Sequence, residues 1–434
     1  MTDLLFARYQ MSISLGFHII FACIGMTMPF FMALAHWKWI DTNDEVYLRL
    51  TKAWSKGVAI LFAAGAVSGT MLSFELGLLW PKFMEHAGPI FGMPFSLEGT
   101  AFFLESIALG IFLYGWGRIP KYIHWFSGVV VGLAGLTSGI FVVAANAWMN
   151  SPSGFDWVNG VAINVDPVKA MFNDAWLSQA LHMSLAAFMA TSFGVAGVHA
   201  YYLHKGVNKD IHKKALDIVI WFAVISALLQ PISGDLSAKD IAKRQPAKLA
   251  AAEALFTTTA RAPLTIGGIP DEKAGKVRYG IEIPGLLSYL AHGDVNAEVI
   301  GLDQIPDDEQ PPVAVVHYAF ELMVAIGFFL MAIGLYYLAR KFFKRKEIYT
   351  PLLLRLLIVA TPLGFLAVEA GWTVTEVGRQ PWILYGILKT KDSLTPMPGL
   401  VYPFLLTTAV YLSLSVIVTW LMVRQFKSIS RKAN

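Results

Sequence analysis

Apolar residues fall along this chain in long runs, separated by short polar segments that carry most of the Lys and Arg. A helix needs about 20 mostly apolar residues to cross the hydrocarbon core. Nine runs meet that length: residues 11–36, 56–79, 95–115, 122–146, 176–203, 215–233, 312–338, 352–376 and 400–423. Pro231 and Pro362 interrupt the sixth and eighth. The pattern predicts an all-α integral membrane protein of about nine transmembrane helices with one long loop. The organisation read from it is residues 1–233 as helices one to six, 234–311 as the loop, and 312–434 as helices seven to nine with a tail. The first run is too long for a signal peptide and lacks a small-residue cleavage site. No fixed-period repeat is present.

An odd span count puts the termini on opposite sides, and the positive-inside rule chooses between them. One set of connecting segments carries 19 basic residues, including the cluster from Arg340 to Lys346 together with Arg424, Lys427, Arg431 and Lys432. The opposite short segments carry six: Arg8, Lys82, Lys169, Arg379, Lys389 and Lys391. The N-terminus is therefore expected outside and the C-terminus in the cytoplasm, which places the long loop outside. That loop holds 12 acids and eight bases. The part around Ala247–Ala254 reads as helix and the remainder as irregular chain. Loops of this length are often functional.

Composition agrees with the pattern. Charged residues make up 15% of the chain, against about 25% in soluble domains, and the mean hydropathy is +0.55. That excludes a disordered chain, a secreted disulfide scaffold and a nucleic-acid binder. The single cysteine, Cys23, excludes internal disulfides, covalent C-x-x-C-H haem attachment and a multi-cysteine cluster.

Ionisable groups inside the spans point to function: His18, Glu75, Glu98, Glu105, His182, Glu321, Glu369 and Glu376. Glu98 and Glu105 are seven apart and share a helix face. Glu369 and Glu376 repeat the spacing, with Trp372 between them. Paired acids of this kind suit a buried proton path or the neighbourhood of a cationic cofactor, and at least one of Glu98 and Glu105 is expected to stay protonated. Of ten histidines, His18 and His182 alone read as lying well within apolar spans. None are adjacent, as a haem–copper site would require, and no span has two at the spacing that stacks two haems. His, Met and Glu together are a coherent haem set, because His–Met ligation suits electron transfer and a single protein ligand leaves iron open to oxygen. On the residues alone a proton-coupled transporter or a haem-bearing assembly subunit also accommodates the buried acids.

The segment Gly371-Trp372-Thr373-Val374-Thr375-Glu376-Val377-Gly378-Arg379-Gln380-Pro381-Trp382 resembles the GWxxxExGRQPW signature of cytochrome bd-type quinol oxidase subunit I. Ser96–Glu105 is similar to that family's third-helix motif, and Arg8 with His18 to the start of its first helix. Gly234-Asp235-Leu236-Ser237, followed by Lys248-Leu249-Ala250-Ala251-Ala252-Glu253, resembles the start of its quinol-binding loop, in the short-loop branch. The resemblance implies a quinol:oxygen oxidoreductase with two haem b groups (one low-spin, one high-spin) and one haem d. His182 and Met323 would ligate the low-spin haem, and His18 and Glu376 the high-spin pair. Glu98 and Glu105 would lie on the proton route, Trp372 and Arg379 beside the haems, and Lys248 and Glu253 at the quinol. It further implies a subunit II, a possible small single-span subunit, a bacterial cytoplasmic membrane location and a contribution to the proton gradient. Glu321 departs from the pattern: an acid stands where a basic or amide residue is expected, which should lower the low-spin haem potential.

Overall fold

The computed structural model describes residues 2–158, 161–343 and 347–430. Lys344, Arg345 and Lys346 of the expected basic cluster, and Arg431 and Lys432 of the tail, lie outside the described residues.

The helices are α1 (Asp3–Thr42), α2 (Glu45–Leu79), α3 (Pro81–Tyr114), α4 (Lys121–Asn150), the short α5 (Pro167–Met171), α6 (Trp176–His204), α7 (Lys209–Arg244), the short α8 (Pro246–Ala252) and α9 (Leu286–His292), α10 (Val313–Phe342), α11 (Pro351–Val377) and α12 (Val401–Ser430). Among the described residues nine are long and apolar enough to span a bilayer, one for each predicted run. The chain is a multi-pass integral membrane protein.

The helices overrun the apolar runs. α1 begins eight residues before its run and α3 begins at Pro81, because the flanking turns keep helical bonding where neighbouring helices cover them. Pro231 lies inside α7 without ending it, and the helix continues to Arg244. Residues 234–244, read from sequence as the start of the loop, are thus the last turns of a helix. Proline is tolerated at such depth when neighbouring elements satisfy the backbone groups it frees. A tight reversal joins α1 to α2: Asn43 takes a left-handed conformation, and the Asp44 side chain accepts from the N–H of Val46.

Two four-helix groups emerge. α1, α2, α3 and α4 pack together, as do α6, α7, α10 and α11, while α1 and α4 both touch α6. An apolar seam of Ile19, Cys23 and Met26 from α1, Ala187 and Ala190 from α6 and Val368 from α11 joins the groups, with Trp372 packed against it. α12 rests on α1 and α2 at the periphery.

The long connection between α7 and α10 is more ordered than its composition predicts. The expected helix is α8. Beyond it, three antiparallel strand pairs form (259–260 with 298–299, 264–266 with 281–283, 269–271 with 276–278). α9 packs Leu287 and Ala291 onto Leu249 and the end of α7. His317 Nδ1 meets the Ala252 carbonyl at 2.8 Å and ties α8 to α10. We call this side of the molecule the loop end and the opposite side the basic end.

The histidine reading needs correction. His36, His124, His199, His212 and His317 are also buried in spanning helices, at 3% exposure or less. His36, His124 and His212 lie in terminal turns at the edges of the apolar runs, whereas His199 and His317 lie inside theirs, near the ends.

Candidate functional site

His18 on α1 and His182 on α6 are held by the same device. His18 Nδ1 is 2.9 Å from Ser68 Oγ on α2, and that hydroxyl donates to the Ala64 carbonyl at 2.9 Å. His182 Nδ1 is 3.0 Å from Ser233 Oγ on α7, and that hydroxyl donates to the Gln230 carbonyl at 2.9 Å. A serine has one proton to give. With it committed to a carbonyl, each serine accepts from the histidine, so Nδ1 carries the ring proton. His18 Nε2 then keeps its lone pair for a metal, while His182 Nε2 faces the Gln230 amide nitrogen of α7 at 3.2 Å, a contact that a metal would displace. An anchored second nitrogen is how ligating histidines are normally oriented. Glycines let the partner helices approach: a Cβ at Gly69 would meet His18 Cε1 at 2.9 Å, and one at Gly234 would lie 3.6 Å from His182 Cε1.

Met323 on α10 faces α11 at a third glycine, where a Cβ at Gly371 would sit 3.0 Å from the sulfur. Met323 and His182 thus belong to one four-helix group, and His18 to the other.

Glu376 ends α11. Asn146 of α4 donates to its Oε1 at 2.5 Å, and Arg379 Nη2 lies 2.5 Å from its Oε2. Arg379 is 2% exposed, and its Nε and Nη1 have no hydrogen-bond partner among the described residues. A buried guanidinium with two idle nitrogens fits an anionic partner such as a propionate. Other buried polar atoms without protein partners lie on the loop-end halves of α6, α7 and α10: Trp176 Nε1, Ser237 Oγ, Arg244 Nη1 and His317 Nε2. Histidines anchored through Nδ1, a thioether over glycine and idle donors together fit haem in both helix groups.

Glu98 and Glu105 both face α4. Ser138 donates to Glu98 at 3.2 Å, while a Cβ at Gly135 would meet Glu105 Oε1 at 3.2 Å. Glu105 is buried at 6% exposure, in a notch between Gly135 and Gly25 of α1. The other seven-residue pair diverges: Glu369 points to Gly16 of α1, whereas Glu376 points to α4.

Lys248 and Glu253 are both buried on the short helix and its cap, but they face different neighbours. Five residues on a helix are some 140° apart. Lys248 packs its stem over Gly378, and its Nζ donates to Asn150 at 2.8 Å. Burial, with the Arg379 charge beside it, lowers its ammonium to about 7. Glu253 lies on the α10 side. Burial, followed by the nearby Glu321 carboxylate, pushes it up to about 8. The departing acid at position 321 therefore acts on Glu253.

The sequence reading missed Ser68, Ser233, Ser138, Asn146 and Asn150. The last two form a bridge. Asn150 accepts from Lys248 and donates to Asn146, and Asn146 donates to Glu376. Two asparagines four apart at the end of an apolar run, and so on one helix face, were the available signal.

The family model for cytochrome bd terminal oxidase subunit I matches residues 6–429. The chain is similar to the bd oxidase structure from Geobacillus thermodenitrificans, with a TM-score of 0.92, 39% identity and 98% of each chain covered. It is 30% identical to cytochrome bd ubiquinol oxidase subunit 1 of Bacillus subtilis (strain 168), covering 98% of this chain and 94% of that one. It is 26% identical to cytochrome bd-II ubiquinol oxidase subunit 1 of Escherichia coli (strain K12), covering 89% and 88%. These matches decide against a transporter. Taken with the anchored histidines and the signature at Glu376, they establish that the chain belongs to the cytochrome bd terminal oxidase subunit I family and is the haem-bearing catalytic subunit of a quinol:oxygen oxidoreductase.

Proposed function

We propose that this subunit carries two haem b groups and one haem d, with quinol oxidised at the loop end. His182 and Met323 hold the low-spin haem, and His18 and Glu376 each hold one high-spin haem. The loop end faces outside and the basic end the cytoplasm, in a bacterial inner membrane. Residues 234–311 serve as the quinol-binding segment, with the helices of 1–233 and 312–434 forming the membrane body. A subunit II, and a small single-span subunit where present, complete the oxidase. The observation that carries the assignment is the paired serine device, which leaves one unprotonated nitrogen on each of His18 and His182.

The reaction oxidises two quinols and reduces one O2 to two waters with four protons. When bound, the haems supply the electron relay and the place where oxygen is reduced. The chain's own groups handle position and protons. Glu253, when ionised, accepts a proton from a quinol hydroxyl, and Lys248 offers a donor on the opposite side of α8. Asn146 and Arg379 fix the carboxylate of Glu376. Arg379 also supplies a positive charge for a propionate, and Trp372 packs in the seam between the helix groups. Glu105 and then Glu98 pass protons from the basic end along the α3–α4 face. Protons released outside and consumed from inside build the gradient without a pump.

The test is the dithionite-reduced spectrum with pyridine-haem analysis of the purified oxidase, in wild type, His18→Ala and His182→Ala. Each variant should lose one haem class. A full haem complement in either removes that histidine from the ligand set.

A further inference from the structure

Outside these sites, the loop end holds a second built polar pocket among α1, α2 and α12. Glu75 of α2 is 5% exposed, Gln10 and Ser14 of α1 are at 4% and 0%, and Tyr411 of α12 is at 3%. The Gln10 amide spends both protons, one on Glu75 Oε1 at 3.0 Å and one on Thr407 Oγ1 at 3.2 Å. Among the described residues, Gln10 Oε1, Glu75 Oε2, Ser14 Oγ and Tyr411 OH then lack a hydrogen bond of good geometry. Ser14 lies against both Glu75 and Tyr411. The four are two acceptors and two hydroxyl donors. That set is the complement of one water molecule, which gives two hydrogen bonds and receives two. A buried water needs two to four polar partners. Leaving four such groups unpaired in an apolar surround would be costly.

The pocket is aligned with a proposed haem ligand. Gln10, Ser14 and His18 are spaced by four on α1, and Glu75 and Ser68 by seven on α2, so each set shares a helix face. The Gln10–His18 spacing spans about 12 Å along the helix. Glu75 is four residues from the loop-end terminus of α2. Among the described residues, the groups facing Glu75 are Gln10 and Ser14 from α1 and Thr407 and Tyr411 from α12. Of these only Tyr411 titrates, and none is a cation. A charge added at His18 therefore has Glu75 as the titrating carboxyl toward α2 and α12, while Glu369 of α11 approaches α1 at Gly16 from the other side.

We propose that Gln10, Ser14, Glu75 and Tyr411 bind one water molecule, and that Glu75 takes up a proton through it when an electron arrives at the His18 site. The proton comes from the loop-end aqueous phase and joins Glu75 Oε2. The electron comes from quinol oxidation, so the local charge is unchanged. The proposal rests on the assignment of His18 as a haem ligand. Glu75 is a positioning and charge-compensating residue, not a catalytic one.

The test is infrared difference spectroscopy, reduced minus oxidised, on the purified oxidase. Wild type should show a protonated-carboxyl band on reduction, absent in Glu75→Gln and shifted but present in Tyr411→Phe. The midpoint potential of the haem held by His18 should depend on pH, and Glu75→Gln should weaken that dependence. Glutamine keeps the hydrogen bond from Gln10, so the variant should fold, which is checked by its haem content. An unchanged band in Glu75→Gln overturns the proposal while leaving the haem assignment intact. A Na+- or K+-dependent stability lost in Glu75→Gln would overturn it in favour of a cation site. His18→Ala with full haem content overturns the underlying assignment instead, whatever the Glu75 band does.

Discussion

Replacing Glu253 with Gln separates what this carboxyl contributes to turnover from what it costs the fold. Glu253 is 6% exposed, and burial beside Glu321 raises it from 4.5 to about 8. Between those values the folded loop holds the proton and the opened loop releases it. The loop is then most stable below about 4.5, loses stability as pH rises toward 8, and is level above that. At 1.36 kcal/mol per unit, the two and a half units from 4.5 to 7 amount to about 3 kcal/mol at neutrality. Glutamine has no proton to lose and escapes that cost. The local opening equilibrium of the loop in Glu253→Gln should fall about 100-fold at pH 7, with little change near pH 4.5. Limited tryptic cleavage at Lys248, buried in α8 five residues before Glu253, reads this opening when cleavage is slow against reclosing. Quinol oxidation should fall in the same variant, since its proton acceptor is gone. Faster cleavage of Glu253→Gln at neutral pH, or an equal difference at both pH values, would refute the reasoning.

Other substitutions probe the remaining parts. Met323→Leu conserves volume and should keep the fold while the low-spin haem signal disappears or moves to lower potential in a redox titration. Gly371→Ala places a Cβ 3.0 Å from the Met323 sulfur. It should disturb the same signal at a cost of about 1–3 kcal/mol in stability, measured by thermal unfolding. Ser68→Ala and Ser233→Ala free the ring proton of their histidines and should each weaken haem retention about 10–100-fold, for different haems, in haem-titration assays. Glu105→Gln should slow oxygen consumption at saturating quinol more than it slows haem reduction by quinol in stopped flow.

The parts of the site legible in the sequence were those whose meaning is local. Apolar run length gave the nine spans, and helical spacing put Glu98 and Glu105 on one face, where they do both meet α4. What stayed hidden depends on which helix faces which. Ser68 and Ser233 are ordinary membrane serines until α1 and α6 bring a histidine to each. The equal spacing of Glu369 and Glu376 suggested a pair, yet their partners lie on α1 and α4, and no interval within α11 records that. The continuation of α7 past Pro231 was equally invisible, because a proline within a membrane helix is tolerated or not according to what packs around it.

The Asn150–Asn146 bridge has a consequence for how variants combine. Lys248 and Glu376 sit at what would be opposite ends of the electron path, yet one continuous run of hydrogen bonds connects them. Changes at the two ends therefore share an energy term, and a double-mutant cycle between them should depart from additivity by an amount typical of one network, roughly 0.5–3 kcal/mol. The loop helix and the end of α4 are then energetically one unit, and a substitution at Asn150 should weaken the hold on Lys248 and on Glu376 together.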